Sequence, residues 1–158
     1  MKNIASCLLI ASLLFSVIAC EKKNDAPDFG SWKLGTTTYK VAFSTKSALS
    51  TGGTLFIFAD AAITGPGSTA NMLSVSFPTA PTTSGTYQLV NAGTSTGSNQ
   101  MELSSGSMSG GAYGYIGSPI NVTVNVAGGK ISVTVPEITL KSTTGLPDIS
   151  FSGSVKEM

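Results

Sequence analysis

The side chains that carry most enzymatic and metal chemistry are scarce in this chain. Its 158 residues contain no histidine and only two cysteines, Cys7 and Cys20. Without imidazole there is no Ser-His-Asp or Cys-His nucleophilic system, and no histidine ligation of zinc or haem. Four acids stand in the body of the sequence, Asp60, Glu102, Glu137 and Asp148. Glycoside chemistry needs two carboxylates at a defined separation. Glu137, beside Pro136, and Asp60, at the end of an apolar run, are the two placed to reach a sheet edge. No Asp-X-Asp-X-Asp cluster offers a calcium loop. The glycine-rich stretch Gly106 to Gly111 has no lysine after it, so it is not a phosphate loop. These residues call for no metal, no cofactor and no catalytic group, and the expectation is a protein that is not an enzyme. Recognition chemistry is better represented. Tyr113 and Tyr115 share one strand face across Gly114, where aromatic rings either stack on sugars, anchor a protein partner or pack into the core.

The remaining reactive group is the thiol of Cys20. It ends Val17-Ile18-Ala19-Cys20, at the close of an apolar run from Leu8 to Ile18 that follows Lys2. A run this short falls below the ~20 residues needed to span a bilayer. It has the size of a secretory signal, with the small residue Ala19 before a cleavage point. A polar, charged and proline-containing segment from Glu21 to Asp28 follows, and it reads as a tether. Fully extended, it reaches at most about 29 Å. The expected organisation is a signal peptide over 1–19, a modified cysteine and flexible tether over 20–28, and a single domain over 29–158.

Val17, Ile18, Ala19 and Cys20 resemble a bacterial lipobox. The resemblance implies that signal peptidase recognises Val17, Ile18 and Ala19, that lipid is attached to Cys20, and that the protein sits in the cell envelope, most simply at the outer membrane. Several acyl chains give durable anchoring where one is marginal. Cys7 then departs with the signal, so the mature domain has neither a free thiol nor a disulfide. Together with a small Ser/Thr/Gly-rich β domain, the anchor is similar to short, uncharacterised envelope lipoproteins of the Bacteroidetes. Ser84-Gly85-Thr86-Tyr87 and Gly153-Ser154-Val155-Lys156-Glu157 look like phrases that recur in them.

Charge excludes a further class. Nine lysines and no arginine face eight acids, and a near-neutral chain lacks the positive field that nucleic-acid binding needs. The partners expected are the membrane, through Cys20, and a glycan or another envelope protein.

From Phe29 onward the apolar pattern has period 2, and no window carries a helical stripe. Ser31–Leu34, Tyr39–Phe43, Thr54–Ala59, Leu73–Phe77, Thr86–Val90, Gln100–Ser104 and Tyr113–Ile116 read as strands. Phe56 and Phe58 form an outward aromatic pair unless their strand is central. Ala61–Ala70, Asn91–Asn99 and Ser105–Gly111 read as loops. Ile120 to Val135 is the clearest hairpin: Gly128-Gly129 suits a type I′ turn and pairs Val126 with Ile131, Val124 with Val133 and Val122 with Val135. The apolar parity flips after Val135, which predicts a bulge or sheet-crossing bend at Pro136-Glu137. Ile149, Phe151 and Val155 close the pattern, with Trp32 and Tyr87 as core residues. About nine or ten short strands with regular turn signals predict an all-β, antiparallel β-sandwich. A lipocalin-like β-barrel is the alternative, because Gly30-Ser31-Trp32 is similar to the Gly-X-Trp start of those barrels.

Overall fold

The computed structural model describes residues 27–65, 68–108 and 110–158, and the Val17–Cys20 motif with most of the tether lies outside them. Every regular element among the described residues is a β-strand: β1 Gly30–Leu34, β2 Thr37–Lys40, β3 Phe43–Ala48, β4 Thr54–Ala59, β5 Asn71–Phe77, β6 Gly85–Leu89, β7 Gln100–Ser107, β8 Ala112–Tyr115, β9 Ile120–Ala127, β10 Lys130–Ser142 and β11 Ile149–Lys156. The all-β class is as expected, with eleven strands in place of nine or ten. They form one hydrogen-bonded sheet in the order β2-β1-β11-β10-β9-β6-β7-β5-β4-β3, with β8 joined to both β10 and β7. The path β6-β9-β10-β8-β7 returns to β6, so five strands make a closed ring and the other six extend from it.

The alternation of the sequence becomes an inside and an outside. Phe56 and Phe58 on β4, Leu73, Val75 and Phe77 on β5, and Met101 and Leu103 on β7 are all buried in one apolar core. Ser74 and Ser76 fill the intervening positions on β5 and Ser104 one on β7, whereas Leu55 and Ile57 fill them on β4. Because β4 lies between β3 and β5, Phe56 and Phe58 point inward and the outward aromatic pair is not formed. Phe77 meets Phe56 edge-on at 5.8 Å and Tyr87 edge-on at 5.5 Å, the geometry that aromatic quadrupoles favour. Trp32 stacks on Tyr39 at 5.4 Å.

The β9–β10 hairpin has the expected register. Val126 pairs with Ile131 and Val124 with Val133, and the ladder ends at Thr123–Thr134, one pair short of Val122–Val135. Gly128 and Gly129 have φ of 59° and 76°, the left-handed conformations of a type I′ turn. On the far edge of β10, Val135 faces Gly153 and Ile138 faces Phe151. Pro136 and Glu137 together therefore oppose Ser152, a bulge that carries Leu140 back into the core.

Four expectations fail for reasons of long-range pairing. The strand expected over Tyr39–Phe43 is broken at Val41-Ala42, where successive amides serve different neighbours. Val41 N donates to Gly30 O on β1 (3.0 Å), and Ala42 N to Ala59 O on β4 (2.8 Å). The loop expected from Ser105 is strand as far as Ser107, because Ser105 is buried with its hydroxyl on Met72 O at 2.9 Å. The segment Tyr113–Ile116 runs one residue earlier, Ala112–Tyr115. The sheet is also not wholly antiparallel: Gln88 and Leu89 pair in parallel with Gln100 and Met101. A parallel step needs a crossover, and residues 90–99 provide it.

Candidate functional site

Three of the four acids have a structural partner. Asp60 accepts the backbone amide of Asn71 at 2.8 Å and its side-chain amide at 2.7 Å. Glu102 clasps the crossover loop: Oε2 accepts Gly93 N at 2.8 Å, and Oε1 accepts Ser95 N at 2.8 Å and Ser95 Oγ at 2.6 Å. Asp148 pairs with Lys141 on the exposed surface, where such a pair contributes little. Glu137 is exposed at the bulge and shares a dent of about 50 Å³ with Lys33. Asp60 stands opposite Asn71 and Glu102 opposite Ser76, five residues apart along β5, or roughly 17 Å. These two carboxylates do not converge. Among the described residues no three of His, Cys, Asp and Glu gather where a metal ion would sit. Glu157, near the C-terminus, has the same kind of role, accepting Ile131 N at 2.6 Å.

The ionisation of Glu102 is displaced. Burial disfavours its charge, but the Ser95 hydroxyl and the amides of Gly93, Ser95 and Thr94 together outweigh that and hold its pKa below the ordinary 4.5. A depressed carboxylate pKa contributes stability that is present above the unfolded value and is lost as pH falls through the folded one. Acidification from pH 7 through the folded pKa is therefore expected to lower the hydrogen-exchange protection factors of the Gly93 and Ser95 amides, each referred to the intrinsic rate at that pH, ahead of those of the core strands. Glu102→Gln should give that low protection already at pH 7 and make it insensitive to pH. Unchanged exchange at these two amides in the variant would contradict the clasp.

Among the described residues, two cavities of several hundred Å³ could take a small ligand. The first, about 480 Å³, lies between the β3–β4 turn and the crossover loop and includes Thr51, Ser76, Ser95 and Glu102. Its only charged group is the Glu102 carboxylate, already committed to the loop. The second, about 470 Å³, is formed where the β1–β2 turn, the starts of β5 and β11 and the β7–β8 turn meet. Leu34, Thr37, Tyr39, Asn71, Tyr113 and Ile149 line it, and no charged side chain does. Asp60 holds the Asn71 amide in a fixed plane.

The two tyrosines singled out by sequence separate here. Tyr115 is 6% exposed, part of the core, with its hydroxyl donating to Ser118 O at 2.5 Å. It cannot form an exposed platform with Tyr113. Tyr113 is half-buried and faces the second cavity, where its aromatic companion is Tyr39. The signal for Tyr39 was the two-residue step Gly35-Thr36, which sets Leu34 against Thr37 and hence Trp32 against Tyr39. That Tyr39 and Tyr113 share a cavity follows only from the pairing of β8 with β7 and β10.

An all-β domain with a neutral, aromatic-walled cavity at one edge of its sheet is the class the fold and site define. Comparison with protein-family models, curated proteins and solved structures finds no match for the chain.

Proposed function

We propose that this protein is a lipid-anchored component of a bacterial cell envelope, held at Cys20 to the outer membrane, whose β domain is a non-catalytic module that binds a glycan or another envelope protein. The observation that carries the binding reading is the contrast between the two kinds of site. The acids that hydrolysis would use are engaged in holding Asn71, the crossover loop and Lys141, whereas the Tyr39–Tyr113 cavity is neutral and rich in recognition groups. The anchor reading rests on Val17-Ile18-Ala19-Cys20 and the charged tether behind it.

We read the sheet as a filled barrel in preference to two separate layers. The five-strand ring supports this, as does the β2–β3 junction, which bonds to β1 on one side and β4 on the other. A single core fills the interior, so the ligand site belongs at the rim and not in a central lumen. An accessory subunit of an envelope complex is the second reading, and exposed Met108 and Leu146 favour it as contact points.

Metabolic acyl labelling of wild type and Cys20→Ala, followed by protease shaving of intact cells, tests anchor and topology together. Label is expected on wild type alone, and unlabelled wild type would sink the anchor. Glycan-array binding by the detergent-solubilised protein, set beside affinity co-purification, separates the two readings of the domain.

A further inference from the structure

We propose that the Tyr39–Tyr113 cavity is the seat of a neutral saccharide, a reading that rests on the glycan-binding function above and assigns it a place and a ligand class. Its lining has no lysine, aspartate or glutamate. A phosphorylated, carboxylated or cationic ligand would leave its charge uncompensated there, which is costly. A plain alkyl chain is disfavoured by the opposite mismatch. Thr36, Thr37, Tyr39 and Tyr113 put hydroxyls at this cavity, and among the described residues no protein hydrogen bond engages them. Burying them under alkyl carbon would strand polar groups. A saccharide satisfies both conditions. Its ring presents C–H faces to aromatic rings, and its hydroxyls donate and accept as threonine and tyrosine hydroxyls do.

The volume, about 470 Å³, lies within the range of about 300–1,000 Å³ usual for small-ligand pockets. The rim is also built in advance. Thr143 donates through both N and Oγ1 to Ala112 O, at 2.8 and 3.0 Å, and Ser142 Oγ accepts the amides of Thr144 and Leu146 at 3.1 and 2.9 Å. These bonds hold the β10–β11 loop against the start of β8, with Leu146 over Gly111, one of the lining residues. A fixed rim lowers the ordering cost of binding. The cavity stands at the C-terminal end of β1, whose N-terminal end joins the tether, so a strand length of about 17 Å separates them.

The test uses full-length acylated protein in detergent, titrated by saturation-transfer NMR with four neutral probes (maltohexaose, cellohexaose, mannohexaose and N-acetylchitohexaose) and two controls, polygalacturonate and oleate. At least one neutral oligosaccharide is expected to bind. Tyr113→Ala should weaken it about tenfold, and Tyr113→Phe and Thr37→Val, which keep the packing volume, should each weaken it several-fold. Asn125→Ala, exposed on β9, should leave binding unchanged. Binding that survives all the cavity variants overturns the assigned seat and leaves the glycan reading standing. Preference for polygalacturonate or oleate overturns the neutral-saccharide class. Silence of the folded protein toward every saccharide overturns the seat and the glycan reading together.

Discussion

Phe77→Ala is expected to lower the free energy of unfolding by about 3–5 kcal/mol, the range for truncating a fully buried aromatic. Phe77 is 1% exposed and sits edge-on between Phe56 and Tyr87, so it joins the inner faces of β4, β5 and β6. Backbone hydrogen bonds of the paired strands keep those neighbours in place, and they cannot close over the space a ring leaves. The loss therefore combines the transfer term with a cavity term. Phe77→Leu, which restores much of the volume, should cost well under half as much. Urea titration reads both: the midpoint falls while the denaturant slope stays constant. A loss below about 1 kcal/mol for Phe77→Ala would show that the aromatic group is not what the core is packed around.

Gly153→Val is expected to be comparably damaging by the opposite route. Gly153 is paired with Trp32 across β11 and β1, and a Cβ at 153 would lie 2.8 Å from the Trp32 Cβ and 3.1 Å from its Cα. Neither atom can move without shifting β1. Overpacking typically costs about 1–3 kcal/mol, and this contact falls at or above the top of that range. Trp32→Ala alone should cost about 3–5 kcal/mol, because the indole is 1% exposed. Trp32→Ala keeps the Cα and Cβ that a Cβ at 153 would meet, so it does not relieve the clash, and Gly153→Val should remain destabilising in the Trp32→Ala background. A Gly153→Val variant as stable as wild type in urea titration would refute the contact. Trp32→Phe should be milder than Trp32→Ala. It keeps a ring against Tyr39 and removes an indole N–H that is buried without a hydrogen-bond partner among the described residues.

The same residues mark how much the sequence disclosed. Gly153 could be read as a glycine in phase with Phe151 and Val155, but its reason is Trp32, 121 positions away in the chain. Local features were legible because one short stretch contained all their causes. Gly128-Gly129 set the β9–β10 register, and the parity flip at Pro136 marked the bulge. Where a segment answered to two distant neighbours, period 2 misled. Val41 and Ala42 continue the alternation of Tyr39 and Phe43, yet they belong to two ladders. Ser105, a loop residue by composition, is buried because β5 and β8 flank it. The site was legible only in its parts. Tyr113 stood out as an aromatic beside a glycine-rich turn, but its fate diverges from that of Tyr115, two residues on. Tyr39 becomes its companion through strand pairings that no local spacing encodes. The clasp by Glu102 was hidden likewise, since a parallel neighbour for β6 had no signal in the alternation.

The junction at Val41-Ala42 also bears on how such chains behave when crowded. The sheet's two terminal strands, β2 and β3, are consecutive in sequence and only two residues apart. One half of this segment is paired to β1 and the other to β4, so the unpaired backbone is divided into half-edges of four and six residues. Each carries a lysine, Lys40 and Lys46, and the Lys46 ammonium lies 5.2 Å from the Phe56 ring centroid. Short, charged, interrupted edges make poor templates for strand addition by a neighbouring copy. A lipid anchor would confine many copies to two dimensions, where collisions between sheets are frequent and partly oriented. Under that confinement the break in the ladder at Val41-Ala42 would limit lateral fibril growth through the backbone pairing and not only through surface charge.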